Sequence, residues 1–408
     1  MLPPPNPPPP PPPPAAAPIG PVTAPQAGVP SGTEFTANWG VGAVNAPTAW
    51  QRGFTGQGVK IGVLDDGIVA TNDPAYAELD GRIEPASKDI DGARNQLSTT
   101  LSHGAELSSL IAGNFNGDKT VGVAYGASIL AVRTDNGAGG FEYQALADAL
   151  DYAVQQGVRI VNFSLGSPSS GGAAGVALRE AIRRATTAGV IIVVSAGNDG
   201  AGAASVNYPG FYATDASVSN NLILVAGGMN QAAGGGSVYG DFNTVSNPAG
   251  AAASWYLTAP GWQIIVPDYG PTGPVPGFQT CGGALCVIQG TSYAAPHVAA
   301  AAALIMQASP GLTPAQVVQL LLASTDDIGM PGVDAQTGHG QLNIAKAFLP
   351  LGPLSAPVSG VGGEIAPGAP IGVVGAAFGD AFARPNAWSA VAFDSLGRTF
   401  AVSLAPSW

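Results

Sequence analysis

Short runs of consecutive apolar residues alternate with segments of helical periodicity through most of this chain. The run VKIGVL at 59–64 is short and rich in Val and Ile, which predicts a buried strand. The segment at 141–157 instead places Leu146, Leu150 and Val154 on one helical face, which predicts an amphipathic helix. The same patterns predict further strands at 127–134, 158–165, 190–197 and 221–228 and a further helix at 175–189.

Continuous apolar strands with helices between them indicate a parallel sheet covered on both faces. The predicted fold class is therefore α/β, with a doubly wound, mostly parallel sheet in a domain spanning residues 35–349. Residues 1–34 are Pro, Ala and Gly with almost no charge, and we expect a disordered, extended tether there. Residues 350–408 form a C-terminal extension in which 389–404 alternates around a turn and predicts a β-hairpin.

Composition and charge exclude several classes of partner. The net charge of −12 and the 10% of charged residues argue against nucleic acid or an anionic membrane as a partner. No apolar run reaches the roughly 18 residues of a membrane helix, so we expect no transmembrane span. Separately, we expect the protein to be a monomer. No basic-then-apolar leader precedes residue 20, and we expect an exported protein whose signal peptide is absent from this numbering.

Two cysteines, Cys281 and Cys286, lie close together in TCGGALCV. Their spacing matches no CxxC motif, and no second pair of cysteines could complete a zinc site. A small disulfide loop in an oxidising compartment is the favoured interpretation. Two free thiols in a cytosolic loop remain the alternative.

Polar residues suited to acyl transfer stand where predicted strands end or helices begin. Asp65 directly follows a strand, where its carboxylate could hold an imidazole in one tautomer. His103 starts a helix, a position that favours a neutral imidazole able to act as a base. Ser292 follows Gly290 at another helix start, where free N–H groups favour developing negative charge. Asn198 leaves a strand in a Gly-rich turn, and its amide could donate to an oxyanion.

Each of these four residues also has an ordinary structural explanation. Asp-Asp-Gly is a common turn, a lone histidine is usually structural, serine caps helices, and asparagine suits a turn. Their order along the chain is more informative, because Asp, His, Asn, Ser is one of the few orders in which a Ser-His-Asp triad occurs. Together they predict covalent acyl transfer by a serine nucleophile.

The segments around these residues resemble the subtilases, the subtilisin-like serine proteases of peptidase family S8. The resemblance covers roughly residues 35–349 in the family's order and implies a subtilisin-like fold and an endopeptidase that forms an acyl-enzyme. The matching segments are GVKIGVLDDGI around Asp65, HGAELSSLIAG from His103, VNFSLGS at 161–167, SAGND around Asn198, YPGFY at 208–212, APG at 259–261 and GTSYAAPHVA around Ser292.

By this resemblance, Asp65 orients His103, His103 is the general base and acid, and Ser292 is the nucleophile. The amide of Asn198 binds the oxyanion, and His297 is structural although it lies close to Ser292 in sequence. The other implied site residues contact a protein or peptide substrate. Strands that pair with the extended substrate contain Ser164, Leu165 and Gly166, and Gly139 and Gly140. Asp199 lies at the rim of the pocket for the side chain before the cleaved bond, where it permits basic residues without demanding them.

No cofactor is required for this chemistry. Subtilases often bind structural calcium, and the acidic composition is compatible with that. The Gly-rich loop at 325–338 holds Asp326, Asp327 and Asp334, but their spacing matches no EF-hand rule. We therefore assign no metal ligand.

Three positions depart from the usual subtilase pattern. Ala105 stands where the family usually has Thr, Asp66 follows Asp65 where Ser or Thr is commoner, and Tyr293 stands where Met is commonest. None removes a catalytic group, so we expect an active enzyme. Two alternatives stay open: a catalytically silent peptide-binding surface module, and a protease that processes itself or a sibling surface protein.

A looser resemblance is to the passenger region of bacterial autotransporter serine proteases. WYLTAPG, the cysteine pair, GHGQLNIAKAF, FGDAF and FDSLGRTFAVSL carry it. It implies an extracellular or cell-surface location and a C-terminal β-barrel translocator in a longer protein. The many alternating strands of such a barrel are absent from this sequence.

Overall fold

The computed structural model describes most of the predicted domain and part of each flank. The described residues are 33–71, 73–99, 101–137, 139–231, 237–238, 246–269, 279–282, 284–356, 363–365 and 389–403. The predicted tether lies outside them except for Thr33 and Glu34, which belong to the first helix. The Glu34 carboxylate fixes that helix start by accepting the backbone N–H groups of Asn116 and Gly117, each at 3.0 Å.

Helices and strands alternate along the chain as the apolar pattern predicts. The strands are β1 Lys60–Asp65, β2 Lys88–Asp89, β3 Ser128–Arg133, β4 Ile160–Phe163, β5 Ile191–Ser195, β6 Ile223–Gln231, β7 Ser237–Val238, β8 Tyr256–Pro260, β9 Ile264–Pro267, β10 Gln279–Gly282, β11 Leu285–Ile288, β12 Leu354–Ala356, β13 Gly363–Ile365, β14 Ser389–Phe393 and β15 Thr399–Ser403. The helices are α1 Thr33–Ala37, α2 Trp39–Ala43, α3 Pro47–Trp50, α4 His103–Ala112, α5 Tyr143–Gln155, α6 Gly172–Thr187, α7 Ala216–Ser219, α8 Thr291–Ala308, α9 Pro314–Ala323 and α10 Ile344–Ala347.

The main sheet has the order β2-β3-β1-β4-β5-β6-β7, and β8 pairs with β6. All of its pairings are parallel except the one between β6 and β7, and Ile61 of β1 lies opposite both Ile129 and Ile160. After β1 the chain forms β2 and β3 on one side of it and then β4 to β8 on the other side. The predicted α/β, doubly wound fold class is confirmed.

Two apolar layers cover the sheet, because successive strand residues point to opposite faces. Ile160 and Val193 face the layer that includes α4, α8 and α9, whereas Val161 and Ile192 face the layer that includes α5 and α6. The Ala-rich helix α8 is buried along almost its whole length. Small side chains let it lie inside the domain, so its first turn is held rigidly at the sheet.

A small antiparallel sheet, β10-β11-β9, leads into α8. Cys281 on β10 lies directly opposite Cys286 on β11, and the two form the predicted disulfide. The strand β11 ends at Ile288, only four residues before Ser292. The disulfide therefore closes the hairpin that precedes the predicted nucleophile.

The C-terminal hairpin of β14 and β15 packs on the domain through a buried ion pair. Arg398 bonds to Asp394 and also donates to the carbonyls of Ala347 and Leu349, while Phe400 enters the main core. The hairpin joins β12 and β13 in a four-stranded sheet. Among the described helices, none has the length and apolar composition needed to cross a membrane.

Candidate active site

Asp65 and His103 lie at the carboxyl edge of the main sheet. Asp65 is the last residue of β1, His103 is the first residue of α4, and Asp65 Oδ1 lies 2.8 Å from His103 Nδ1. Asp65 is 1% exposed, so its carboxylate is shielded from water. A carboxylate can only accept here, so Nδ1 carries the proton of this bond. In the neutral ring, Nε2 is then the nitrogen that can accept a proton.

Asp66 fixes the start of α4 from outside the helix. Its carboxylate accepts the backbone N–H groups of His103 at 3.3 Å and of Gly104 at 2.7 Å. A Cβ at Gly104 would lie 2.3 Å from the carbonyl oxygen of Gly67, so only glycine allows the helix to approach the strand end this closely. The two adjacent aspartates thus act differently: one bonds to the imidazole and the other to the helix that carries it.

The charges around His103 are mostly negative. Burial by itself lowers the pKa of His103, but the carboxylates of Asp65, Asp66 and Glu106 outweigh it and raise the pKa to about 9. Burial and the neighbouring charge of Asp65 raise the pKa of Asp66 to about 7. The site therefore stabilises an imidazolium, the charge that a general base acquires when it takes a proton. The neutral imidazole predicted from the helix start is wrong in this respect, because the carboxylates outweigh the helix terminus.

Ser292 lies in the first turn of α8, beside the end of β4. Its hydroxyl donates to the carbonyl of Ser164 at 3.2 Å, and the hydroxyl of Ser164 donates back to the carbonyl of Ser292 at 2.7 Å. That carbonyl lacks its usual helical partner because the residue four positions later is Pro296, which has no N–H. Ser292 is thereby anchored to β4, and its hydroxyl must turn away from Ser164 to reach His103.

The residue after Ser292 brings α8 against the imidazole. The ring of Tyr293 meets the ring of His103 edge-on, with centroids 5.5 Å apart. The predicted base and nucleophile, 189 positions apart in the numbering, thus lie on neighbouring helices at one edge of the sheet. The Ser292 hydroxyl has to rotate to reach His103. Such a rotation is ordinary in a site without substrate, where catalytic hydrogen bonds are often long or poorly aligned.

Asn198 follows β5 and is held by the start of α8. Its Oδ1 accepts both the backbone N–H and the hydroxyl of Thr291, each at 2.9 Å, so its NH₂ group points away from the helix. Gly290 has φ +142°, and a Cβ there would lie 3.3 Å from Asn198 Nδ2. A larger residue would crowd the amide, so glycine leaves this donor open to an acceptor.

The five residues predicted to pair with substrate as strands occupy two loops. Ser164, Leu165 and Gly166 follow β4 directly; Ser164 is buried, whereas Gly166 is exposed. Gly139 and Gly140 lie in a turn rather than in the predicted strand. The turn forms because Asn136 N–H donates to the Gly140 carbonyl and Gly139 adopts φ +79°, a conformation incompatible with a strand.

Asp199 is exposed next to Asn198 and belongs to a cluster of amides. Its Oδ2 accepts from the side chains of Asn207 at 2.8 Å and Asn247 at 3.0 Å. Its backbone N–H donates to Asn247 Oδ1 at 2.7 Å. The carboxylate is therefore held in place at the end of β5 instead of extending freely into solvent.

The acidic loop at 325–338 uses its carboxylates for internal bonds. Asp334 accepts backbone N–H groups from its own loop, and Asp326 pairs with Lys346 at 2.7 Å. Among the described residues, the one group of potential ligands compact enough for an ion lies elsewhere and consists of Asp268, Cys281 and Cys286. Both of its sulfurs are in the disulfide, so neither thiolate is available.

Sequence reasoning missed three residues that shape the site. Thr291 orients Asn198, Asp66 caps α4, and Glu106 accepts the hydroxyl of Tyr293 at 2.8 Å. Glu106 had a visible signal, because it is an acidic residue one turn after His103 in a helix of otherwise small and apolar side chains. His297 faces away from this cluster: its Nδ1 donates to the carbonyl of Tyr293 at 2.8 Å, and burial lowers its pKa to about 4.

Comparison with known proteins identifies the family. A family model described as the Subtilase family, Peptidase S8, matches residues 56–340. Subtilisin Savinase of Lederbergia lenta is 31% identical over 313 residues, which cover 76% of this chain and 97% of that protein. Alkaline elastase YaB of Bacillus sp. (strain YaB) is 31% identical over 315 residues, 77% of this chain and 71% of that protein. This chain belongs to the subtilase family of serine endopeptidases.

Proposed function

We propose that this chain is an exported endopeptidase in which Ser292 attacks the peptide carbonyl, His103 moves the proton and Asp65 orients His103. The observation that carries the assignment is the 2.8 Å bond between Asp65 and His103 Nδ1. That bond leaves Nε2 as the basic nitrogen, and the contact of Tyr293 with the imidazole brings the start of α8 to it. Base and nucleophile are therefore supplied by two helices that the sheet holds together.

The reaction begins when the Ser292 hydroxyl turns from the Ser164 carbonyl toward His103. His103 Nε2 takes the hydroxyl proton as Oγ forms a bond to the substrate carbonyl carbon, and Asp65 stabilises the resulting imidazolium. The imidazolium then gives the proton to the leaving amine as the peptide bond breaks. Water repeats both steps on the ester, releasing the acid and restoring the serine hydroxyl.

The tetrahedral intermediate carries its negative charge on the former carbonyl oxygen. The Asn198 NH₂ group is the donor we assign to this oxyanion, since Thr291 holds the other end of the amide. A donor fixed before the reaction needs no reorganisation when the charge develops. Gly290 contributes by leaving the approach to this amide open.

Labelling with a fluorophosphonate probe tests the nucleophile. An activated Ser292 displaces fluoride and forms an Oγ–P bond, so we expect stoichiometric labelling that Ser292→Ala abolishes. Ser309→Ala, at the other end of the same helix, is the matched control and should be labelled like the unaltered chain. A folded chain that is never labelled would favour the alternative of a silent peptide-binding module, and labelling that survives Ser292→Ala would contradict the assignment.

Export is the second part of the proposal. The Cys281–Cys286 disulfide supports it, because such bonds persist mainly in oxidising compartments. The passenger-region resemblance of the segments near the C-terminus supports a cell-surface or extracellular setting. Fractionation of the producing cells with an antibody against this domain tests it; recovery solely from the cytosol with two alkylatable thiols contradicts it. Mass spectrometry of the chain termini after incubation tests self-processing.

We further propose that Asp199 permits basic side chains before the cleaved bond. Asn207 and Asn247 both donate to Oδ2, which fixes an exposed carboxylate beside Asn198. A peptide library gives the test. Lys and Arg should be accepted by the unaltered chain and disfavoured by Asp199→Asn; an unchanged profile removes Asp199 from the specificity site.

A further inference from the structure

We propose that Glu106 and Tyr293 form a positioning pair that holds the ring of His103 in place and connects the helix of the base to the helix of the nucleophile. The pair rests on the proposed function, because it acts through His103 and not on the substrate. It is a feature of this chain's own residues. One member stands at the position where the family resemblance gives methionine as the commonest residue.

A buried hydrogen bond joins Tyr293 and Glu106. Tyr293 Oη donates to Glu106 Oε2 at 2.8 Å, and the two residues are 7% and 1% exposed. Both groups are costly to bury without partners, so each stabilises the other inside the domain. A hydrogen bond to a charged group in such surroundings is stronger than an exposed one.

The pair lies beside both His103 and Ser292. Glu106 lies one turn after His103 on α4, and Tyr293 follows Ser292 directly on α8. Their bond therefore spans 187 positions of sequence and joins the two helices at the residues next to the reacting groups. A change in this bond moves the base relative to the nucleophile.

Tyr293 also packs against the imidazole of His103. The two rings meet edge-on at an interplanar angle of 68°. Asp65 restrains the imidazole through Nδ1, and the tyrosine ring restrains it through packing. Because the phenol oxygen is tied to Glu106, the ring cannot swing away and let the imidazole rotate.

The charge of Glu106 adds a second effect. The titratable groups that face His103 are Asp65 from β1, Asp66 from the turn after it, Glu106 from α4 and Tyr293 from α8, and Glu106 also faces the buried Tyr269 after β9. Burial raises the pKa of Glu106, whereas the charge of His103 and the bond from the Tyr293 hydroxyl act against that rise, so the ionised carboxylate and the imidazolium favour each other. Removal of this charge alone should lower the pKa of the base, an effect that a purely structural residue would not have.

Four purified variants test the pair: Glu106→Gln, Tyr293→Phe, the double variant and Ser292→Ala. Active enzyme is counted with the fluorophosphonate, and kcat and KM for a chromogenic peptide are measured across pH. Glu180→Gln, which removes a carboxylate from α6, and Tyr152→Phe, which removes a hydroxyl bonded to the Ala86 carbonyl, are the matched controls.

We expect Glu106→Gln to move the lower limb of the kcat/KM profile by about one half to one pH unit toward acid, because the amide still accepts the tyrosine hydroxyl without its charge. Tyr293→Phe should lower kcat per active site about tenfold with little change in KM, because a hydrogen bond to a buried charged group is lost. The double variant should lose no more than Tyr293→Phe alone, since the two residues act as one unit.

Several results would overturn the pair. If Ser292→Ala is inactive while both single variants match the controls in pH profile and kcat, the pair is refuted and the triad stands. If Ser292→Ala keeps its activity, the triad is refuted and the pair with it, because His103 then serves no nucleophile. If Glu106→Gln does not fold, Tyr293→Phe decides: a loss in KM instead of kcat contradicts the proposal.

Discussion

His103 and His297 lie on α4 and α8, two helices that contact each other, yet their surroundings drive their charges in opposite directions. His103 faces three carboxylates and its pKa is raised to about 9. His297 is 0% exposed, bonds to a backbone carbonyl through Nδ1, and has its pKa lowered to about 4 by burial. Burial disfavours the charge of both rings, and only the carboxylates near His103 reverse that effect.

The two rings therefore contribute to stability over opposite pH ranges. The raised pKa of His103 stabilises the folded state fully below pH 6.5, and this contribution is lost as pH rises through about 9. The lowered pKa of His297 leaves the folded state unaffected above pH 6.5 and destabilises it as pH falls toward about 4. Distance along the sequence from Ser292 therefore does not indicate which histidine is charged, because the neighbouring carboxylates decide that.

The strongest challenge to this comparison is to remove each ring in turn. We expect His103→Ala to lower kcat on the order of 10⁶-fold, the scale known for removing this group from a subtilisin, because His103 is the base that we propose for Ser292. His297→Gln should keep kcat per active site within about tenfold, since its ring contacts no reacting atom. Peptide hydrolysis, normalised to correctly folded protein, gives both values. Comparable losses in the two variants would contradict the distinction.

Removing the proposed anion donor leaves both histidines in place and isolates the contribution of the amide. Asn198→Ala should lower kcat about 10² to 10³-fold with little change in KM, the loss known for such a donor in subtilisin. The effect is smaller than that of His103 because the base still activates Ser292. Steady-state kinetics measures it, and Gln144→Ala, which removes an amide bonded to Asp148 on α5, is the control. A loss confined to KM would assign Asn198 to substrate binding.

The next effect concerns stability in acid. In a Ser292→Ala background, which prevents self-cleavage, His297 should remove about 3 kcal/mol from the unfolding free energy between pH 6.5 and pH 4, because the buried neutral ring must charge. The His297→Gln variant lacks this term, so the difference between the two urea titration series isolates it from other titrating groups. Parallel series at all pH values would place the folded pKa of His297 near 6.5.

The smallest effect concerns activity against pH. Since only neutral His103 acts as a base, kcat/KM should rise through the pKa of the free enzyme, with its half-maximum displaced from about 6.5 toward about 9. Initial rates with an uncharged peptide substrate, at constant ionic strength, give the profile. A half-maximum at or below pH 6.5 would mean that the carboxylates around the base are largely protonated.

The strand and helix pattern of the main sheet was predictable because its strands are buried on both faces and therefore consist of continuous apolar runs rich in Val and Ile. These strands are β1, β3, β4, β5 and β6. The two-residue strand β2 was not predictable, since it carries too few residues for a pattern. The strand expected at Gly139 came from the family resemblance, and the structure has a turn there because Asn136 N–H donates to the Gly140 carbonyl and Gly139 adopts φ +79°.

The positions of Asp65, His103, Asn198 and Ser292 at strand or helix ends follow from the amino-acid sequence alone, because periodicity and helix-start chemistry are local properties. Which polar groups meet depends instead on tertiary packing. It brought Glu106 to Tyr293 and Asn198 to Thr291, and it separated His297 from every carboxylate in the cluster around His103. Contacts between distant segments depend on how α4 and α8 pack on the sheet, and so do the pKa values that follow from those contacts.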